Sequence, residues 1–126
     1  MNSATLTSPK KCPCKGDTLD KFVQPIILLI LSKGSCSGYA VVKQMAHYPM
    51  LEHNLPDTTG VYRQLKSMEQ KGAIAHVDYI DETGTEKKRY EITEEGRECL
   101  SNWSLTLMDY RTSITQLLDE IEEVIA

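Results

Sequence analysis

Residues 57–74, DTTGVYRQLKSMEQKGAI, have the apolar spacing of a short amphipathic helix. Val61, Leu65 and Met68 recur on one side, and Asp57 is placed to cap the first turn. The opposite side is polar and rich in hydrogen-bond donors, and its members are Thr59, Tyr62, Arg63, Lys66 and Gln70. Such a pattern predicts a helix that is anchored by its apolar side and offers the other side to a polar partner.

An apolar stretch before it, residues 19–31, predicts a first helix. Asp17 or Thr18 can cap this helix, and Pro25 predicts a kink or a restart within the pattern. Because the stretch is apolar on nearly all sides, we expect the helix to be buried centrally or against a second chain. Residues 1–16 are polar and predict a flexible arm that contains two cysteines.

A short second helix is predicted over residues 38–45, after possible caps at 35–37. Tyr39, Val42 and Met45 share one side of it, so Tyr39 is interpreted as a packing residue rather than a ligand. The stretch that follows is broken by two prolines and predicts a loop.

Two strands are predicted after the opening helix. They cover residues 74–80, IAHVDYI, and 87–92, KKRYEI, and Gly84 lies at the tip of the turn between them. Three basic side chains begin the second strand: Lys87, Lys88 and Arg89. Charges of this kind protect a strand edge from aggregation, and they also suit contact with phosphates.

The last helix is predicted to begin at a Thr93 cap and to carry a heptad seam. From residue 100 onward the apolar steps alternate between three and four without a break. The seam consists of Leu100, Trp103, Leu107, Tyr110, Ile114, Leu117, Ile121 and Val124. So regular a seam predicts a homodimer through this helix, although Leu118 and Ile125 widen the stripe enough for a helix bundle.

Charge is distributed unevenly along the chain, whose net charge is −4. Residues 93–126 hold eight acidic and two basic side chains, whereas residues 1–92 hold ten acidic and twelve basic ones. The segment with the opening helix is therefore mildly basic, which is compatible with an anionic partner.

Two features lead us to expect a cytoplasmic protein that does not span a membrane. The longest apolar run, residues 25–31, is far shorter than the ~20 residues of a membrane span. The amino terminus lacks the apolar core of a secretory signal.

Three helices followed by a hairpin is the order of a winged helix-turn-helix, a mainly α (α+β) fold with a two-stranded β-wing. In that fold the third helix enters the major groove of double-stranded DNA. We expect three segments: a flexible arm over 1–16, a DNA-binding domain over 17–95 and a coiled-coil-like dimerisation helix over 96–126. The predicted DNA-binding residues are Thr58, Thr59, Tyr62, Arg63, Lys66, Lys87, Lys88 and Arg89.

An ordered set of motifs resembles the PadR-like transcriptional regulators. The motifs are PIILLILSKGSCSGYAVVKQM, DTTGVYRQLKSMEQKGAI and KKRYEITEEG, and together they span about residues 22–100. The resemblance implies a dimeric DNA-binding repressor of the small type, with a single carboxy-terminal dimerisation helix. It also implies a small aromatic effector near the dimer interface. Trp103, on the seam, is a candidate contact for that effector, with interface packing as the alternative.

The pair Cys12-Pro13-Cys14 lies outside those motifs. Two thiols separated by one residue can both turn toward a thiophilic metal such as zinc, which would need two further ligands. The candidates for those ligands are Cys36, Cys99, His47, His53 and His76. The alternative is an arm that carries two reduced thiols with no sensing role.

Other function classes are disfavoured. The sequence has no phosphate loop, nucleophile elbow or HExxH motif, and its three histidines are far apart, so we expect no enzyme activity. The alternative to a DNA-binding regulator is a winged-helix protein–protein adaptor without sequence-specific DNA binding, which the acidic net charge would suit.

Overall fold

A computed structural model of the chain describes residues 22–51 and 57–126. Within these segments the chain forms four α-helices and one three-stranded antiparallel sheet. The helices are α1 (Val23–Ser32), α2 (Gly38–Met45), α3 (Thr58–Gln70) and α4 (Glu94–Ile125). The strands are β1 (Cys36–Ser37), β2 (Ile74–Ile80) and β3 (Glu86–Ile92), in the sheet order β1-β3-β2, and a short 3-10 turn covers Pro49–Leu51. The predicted mainly α winged-helix fold is confirmed.

Helix α1 forms the centre of the core. Its apolar residues are buried on nearly all sides, as predicted, and include Val23, Ile27 and Leu31. Pro25 is the third residue of α1, in the first turn, where a helix needs no backbone N–H donor. The predicted caps at Asp17 and Thr18, and the arm over 1–16, lie outside the described residues.

Helix α2 has the predicted bounds but a different buried side. The Ser37 hydroxyl accepts a hydrogen bond from the Ala40 backbone N–H and so caps the helix. Val41 and Met45 are fully buried, whereas Tyr39 is 63% exposed. The prediction that Tyr39 packs inside the protein was therefore wrong. Since two residues turn an α-helix by roughly 200°, the burial of Val41 directs Tyr39 to the opposite side.

Helix α3 confirms the prediction made for residues 57–74. The Asp57 carboxylate accepts a hydrogen bond from the Gly60 N–H at 2.7 Å, and Val61, Leu65 and Met68 are buried. Gly72, at a φ of 84°, follows the end of the helix in the left-handed conformation that glycine adopts readily.

The β2–β3 hairpin also matches the prediction, with β3 beginning one residue earlier at Glu86. Strand β1 was not predicted, because residues 35–37 were interpreted only as caps. Cys36 pairs with Tyr90 and Ser37 with Arg89, so this short strand adds a third member to the sheet. A strand of two residues leaves no alternating pattern in a sequence, and it exists only because β3 lies beside it.

The start of α4 is joined closely to the turn between α3 and β2. The Thr93 hydroxyl accepts from the Gly96 N–H, as predicted, and donates to the Gly72 carbonyl at 2.6 Å. The Thr93 N–H donates to the Ala73 carbonyl at 3.1 Å. Gly96 is buried against this turn, and a Cβ added there would lie 2.0 Å from the Ala73 oxygen.

The predicted seam of α4 has two environments within the single chain. Leu100 and Trp103 are half-buried and pack against the core. From Leu107 onward the seam residues are exposed, as far as Val124 at 84%. In the described segments, no helix is both long enough and apolar enough to cross a membrane.

Candidate nucleic-acid interface

The outer side of α3 is a continuous polar surface. Its predicted DNA-binding residues are all exposed, and they are Thr58, Thr59, Tyr62, Arg63 and Lys66. The buried residues on the other side fix the helix, and the Gln24 amide, which donates to the Gln64 side chain at 2.8 Å, ties α1 to α3. A rigid helix with an exposed row of donors is suited to read an extended polar partner.

A cleft of about 320 Å³ separates α3 from the hairpin and from the start of α2. Its walls include Gly38, Tyr39, Tyr62, Lys87, Lys88 and Tyr90. The fold thus brings Tyr62 of α3 beside two basic residues of the wing, as the predicted site requires. It adds Tyr39, which was not predicted as a site residue; the signal available in the sequence was its place next to Gly38 at the start of α2.

The Tyr62 side chain lies partly at the cleft and partly against α2. Its side chain is 41% exposed, so part of the ring lies open at the cleft. The rest of the ring packs over Gly38, since a Cβ added to that glycine would lie 2.4 Å from the ring carbon Cε1. The position of Tyr62 is therefore set by packing, while its exposed part remains available to a ligand.

The three basic residues of β3 do not form one cluster. Lys88 shares a side of the hairpin with Tyr90, because alternate residues of a strand face the same way. The Arg89 guanidinium lies 4.4 Å from the centre of the Tyr79 ring, and these two residues are on the other side of the hairpin. The Lys87 ammonium lies 3.3 Å from the Asp81 carboxylate. Lys87 and Lys88 both line the cleft, and Lys87 is also paired with Asp81, so we expect Lys88 to be the stronger basic contact there.

The tip of the wing is ordered by a carboxylate. The Asp81 side chain accepts hydrogen bonds from the Thr83 hydroxyl and from the backbone N–H groups of Thr83 and Thr85. Hydrogen bonds from Thr83 first, then from Thr85, with Lys87 also contributing, hold the pKa of the Asp81 carboxyl well below its ordinary value. Asp81 is thus ionised at neutral pH and fixes the turn that leads into β3.

A second set of contacts couples α3 to the hairpin. His76 on β2 hydrogen-bonds the Glu69 carboxylate on α3 through Nδ1, and its ring lies edge-on to Tyr90. Burial, followed by the Glu69 carboxylate and the Tyr62 hydroxyl, raises the pKa of the Tyr90 phenol. Tyr90 therefore stays neutral at neutral pH. The contacts of His76 with Glu69 and with Tyr90 hold α3 and the hairpin together as one unit.

The predicted metal ligands are only partly within the described residues. Cys12, Cys14 and His53 lie outside them, and among the residues described no group of three or more metal-binding side chains is assembled. His76 is already bonded to Glu69. Burial raises the pKa of the Cys36 thiol, which disfavours the thiolate that binds zinc.

An apolar groove of about 220 Å³ lies between α1, the segment after α2, and α4. Its walls include Phe22, Ile26, Leu29, Tyr48, Met50, Leu100 and Leu107. Phe22 makes edge-to-face contacts with Trp103 and Tyr110, at centroid distances of 6.5 Å and 6.1 Å. The seam of α4 thus begins in an aromatic cluster beside this groove.

A family model described as the transcriptional regulator PadR-like family matches residues 27–102, more than half of the chain. No curated protein matches the chain.

Solved structures show the same fold. The crystal structure of a PadR family transcription regulator from Clostridium difficile R20291 is 26% identical with a TM-score of 0.67, and the match covers 77% of this chain and 98% of that chain. The PadR-like transcriptional regulator BC4206 from Bacillus cereus ATCC 14579 is 22% identical with a TM-score of 0.66, covering 79% and 94%. Bacillus subtilis PadR, in complex with operator DNA, is 27% identical with a TM-score of 0.58, covering 67% and 46%.

Proposed function

Because this chain belongs to the PadR-like family of transcriptional regulators, we propose that it acts in the cytoplasm as a homodimeric repressor that binds operator DNA through α3. It is a regulator rather than an enzyme. The observation that carries the proposal is the exposed donor surface of α3 beside a cleft that Lys88 and Tyr62 line. The similar Bacillus subtilis PadR is in complex with operator DNA, which supports operator binding by this chain.

The dimensions of α3 suit the major groove. Its 13 residues make a helix about 20 Å long, and a groove about 12 Å wide admits one helix with its side chains. Arg63 carries a guanidinium that can pair with the O6 and N7 atoms of guanine, whereas Lys66 suits a phosphate. Lys88 at the cleft would then contact the backbone beside the groove.

Substitutions on α3 test the DNA contact. Arg63→Ala is expected to weaken operator binding by about 1–3 kcal/mol if Arg63 reads a base, because the bidentate pair is lost. Lys66→Ala is expected to remove one phosphate contact. The slope of log affinity against log salt concentration should therefore become shallower by about one unit. Both are measured by gel-shift titration of the protein's own promoter region at two salt concentrations.

Arg111→Ala, which removes an exposed positive charge from α4, is the matched control and should bind like the wild type. A double variant, Arg63→Ala/Lys66→Ala, that folds and binds with wild-type affinity would contradict the placement of α3. A wild type that binds no promoter fragment would favour the protein–protein adaptor instead.

The proposed homodimer rests on surface that the single chain leaves uncovered. Half of the long α4 carries exposed apolar seam residues, such as Ile114 at 60%. The apolar groove lies beside the start of this seam. A second copy would cover the seam with its own α4, which is how a heptad pattern is normally buried.

The signal that releases the DNA is proposed to be a small aromatic molecule or a metal or redox change. The aromatic cluster of Phe22, Trp103 and Tyr110 supports the first, since flat apolar ligands pack well against such rings. Trp103 is the single tryptophan of the chain, so its fluorescence reports directly on a ligand bound there.

The metal or redox signal is tested on Cys12 and Cys14. Wild-type protein purified in reductant and then dialysed is expected to retain zinc that the Cys12→Ser/Cys14→Ser variant lacks, since the variant loses both thiolates of the Cys-Pro-Cys pair. Metal content and operator affinity are measured for both proteins, with and without mild oxidant. Equal metal content and equal affinity under both conditions would leave the arm without a sensing role.

A further inference from the structure

The space beside Gly38 leaves no room for a side chain at this position. It is the first residue of α2 and is buried. In the described segments the glycines with positive φ are Gly34, Gly72 and Gly84, so the backbone at Gly38 is one that any residue can adopt. In a helix interior alanine is favoured over glycine by about 1 kcal/mol, so helix propensity does not explain a glycine at this position.

The space beside Gly38 is filled by Tyr62. A Cβ at Gly38 would lie 2.4 Å from Cε1, 2.8 Å from Cζ and 2.8 Å from the hydroxyl oxygen of that ring. Carbon atoms in contact are about 3.5–4.0 Å apart, so the ring would have to move by roughly 1 Å or more. The three nearest atoms all belong to the outer end of one side chain, and therefore the ring rather than the backbone would give way.

We expect the displaced ring to move toward the cleft, because the ring already borders the open space there. Tyr62 and Gly38 both line its wall, with Lys88 and Tyr90. A ring displaced from Gly38 would enter the space that a DNA strand needs in order to lie between α3 and the wing. The lack of a side chain at Gly38 on α2 thus affects the shape of the cleft between α3 and the hairpin.

We infer that Gly38 is a positioning residue for DNA recognition, which holds the Tyr62 ring against α2 so that the cleft stays open to the operator and the exposed part of the ring can contact it. This inference rests on the proposed function, namely that α3 binds operator DNA. It extends the interface to a residue that makes no DNA contact through a side chain of its own.

A double-mutant cycle tests the inference with four proteins: wild type, Gly38→Ala, Tyr62→Ala and the double variant. Gly38→Ala is expected to lower operator affinity about tenfold, as the loss of one or two positioned contacts would. In the Tyr62→Ala background the added methyl group meets no ring, so Gly38→Ala should have no further effect there. A thermal unfolding curve of each protein shows whether the fold is kept.

A separate measurement follows the ring itself. In protein with labelled tyrosines, the Tyr62 ring resonances, assigned with Tyr62→Phe, are expected to shift in Gly38→Ala more than those of Tyr48, because the added methyl group would contact the Tyr62 ring. Wild-type affinity in Gly38→Ala, or equal losses in the two backgrounds, would overturn the inference. Failure of the wild type to bind DNA would instead count against the proposed function, and unshifted Tyr62 resonances would reject the steric coupling independently.

Discussion

A Gly96→Ala variant is expected to lose on the order of 3 kcal/mol of its free energy of unfolding, because the new methyl group meets backbone rather than a movable side chain. The added Cβ would lie 2.0 Å from the Ala73 carbonyl oxygen and 2.7 Å from Cγ1 of Ile92. The Ala73 carbonyl is held by the Thr93 N–H, so relieving the clash disturbs the start of α4 and the turn after α3 together. The better helix propensity of alanine, about 1 kcal/mol, offsets only part of this cost.

Urea unfolding of the variant and the wild type measures this difference. Ser101→Ala is the matched control, since it makes a small change at an exposed position of the same helix and should leave stability nearly unaltered. A Gly96→Ala protein as stable as the control would contradict a close contact between α4 and the turn. That contact bears on the proposed function, because it fixes the angle between α4, the proposed dimerisation helix, and α3, the proposed DNA-binding helix.

An Ile114→Asp variant is expected to be monomeric at concentrations at which we expect the wild type to be a dimer. Ile114 lies in the middle of the proposed interface, and burying an unpaired carboxylate there costs several kcal/mol of association free energy. In the single chain this side chain is 60% exposed, so the substitution should not unfold the domain. The monomer should also bind the operator more weakly, because it can contact only one half-site at a time.

Sedimentation measures the mass of both proteins. Thr112→Asp is the matched control, because it places the same charge two residues away, roughly 200° around the helix, where no seam residue lies. A monomeric wild type would reject the homodimer. A dimeric Ile114→Asp protein would show that the interface lies elsewhere than on this seam.

Local interactions explain why much of the fold could be predicted from the sequence alone. The caps of α2, α3 and α4 are made by Ser37, Asp57 and Thr93, each to an N–H three residues later. Such bonds, together with a 3.6-residue or two-residue apolar period, depend only on neighbours in sequence. This is why the bounds of α2 and β2 and the buried side of α3 agree with the predictions.

Features that depend on distant segments could not be predicted in this way. Tyr39 was assigned to the wrong environment because the buried side of a short helix is chosen by what packs against it. Strand β1 exists only beside β3. Lys88 and Arg89 are adjacent in sequence, yet the pleat of β3 sends them to opposite sides of the wing.

Gly38 and Gly96 show the same division most clearly. Nothing in the sequence around Gly38 or Gly96 indicates that a methyl group would be harmful there, since both open helices that alanine would favour. Each needs its missing side chain only because another segment, the Tyr62 ring in one case and the Ala73 carbonyl in the other, occupies that space. Periodicity and capping were enough to identify the helices and the hairpin, because they are short-range properties. Close packing between elements depends on which atoms of distant segments occupy neighbouring space. That arrangement exists only after the chain has folded.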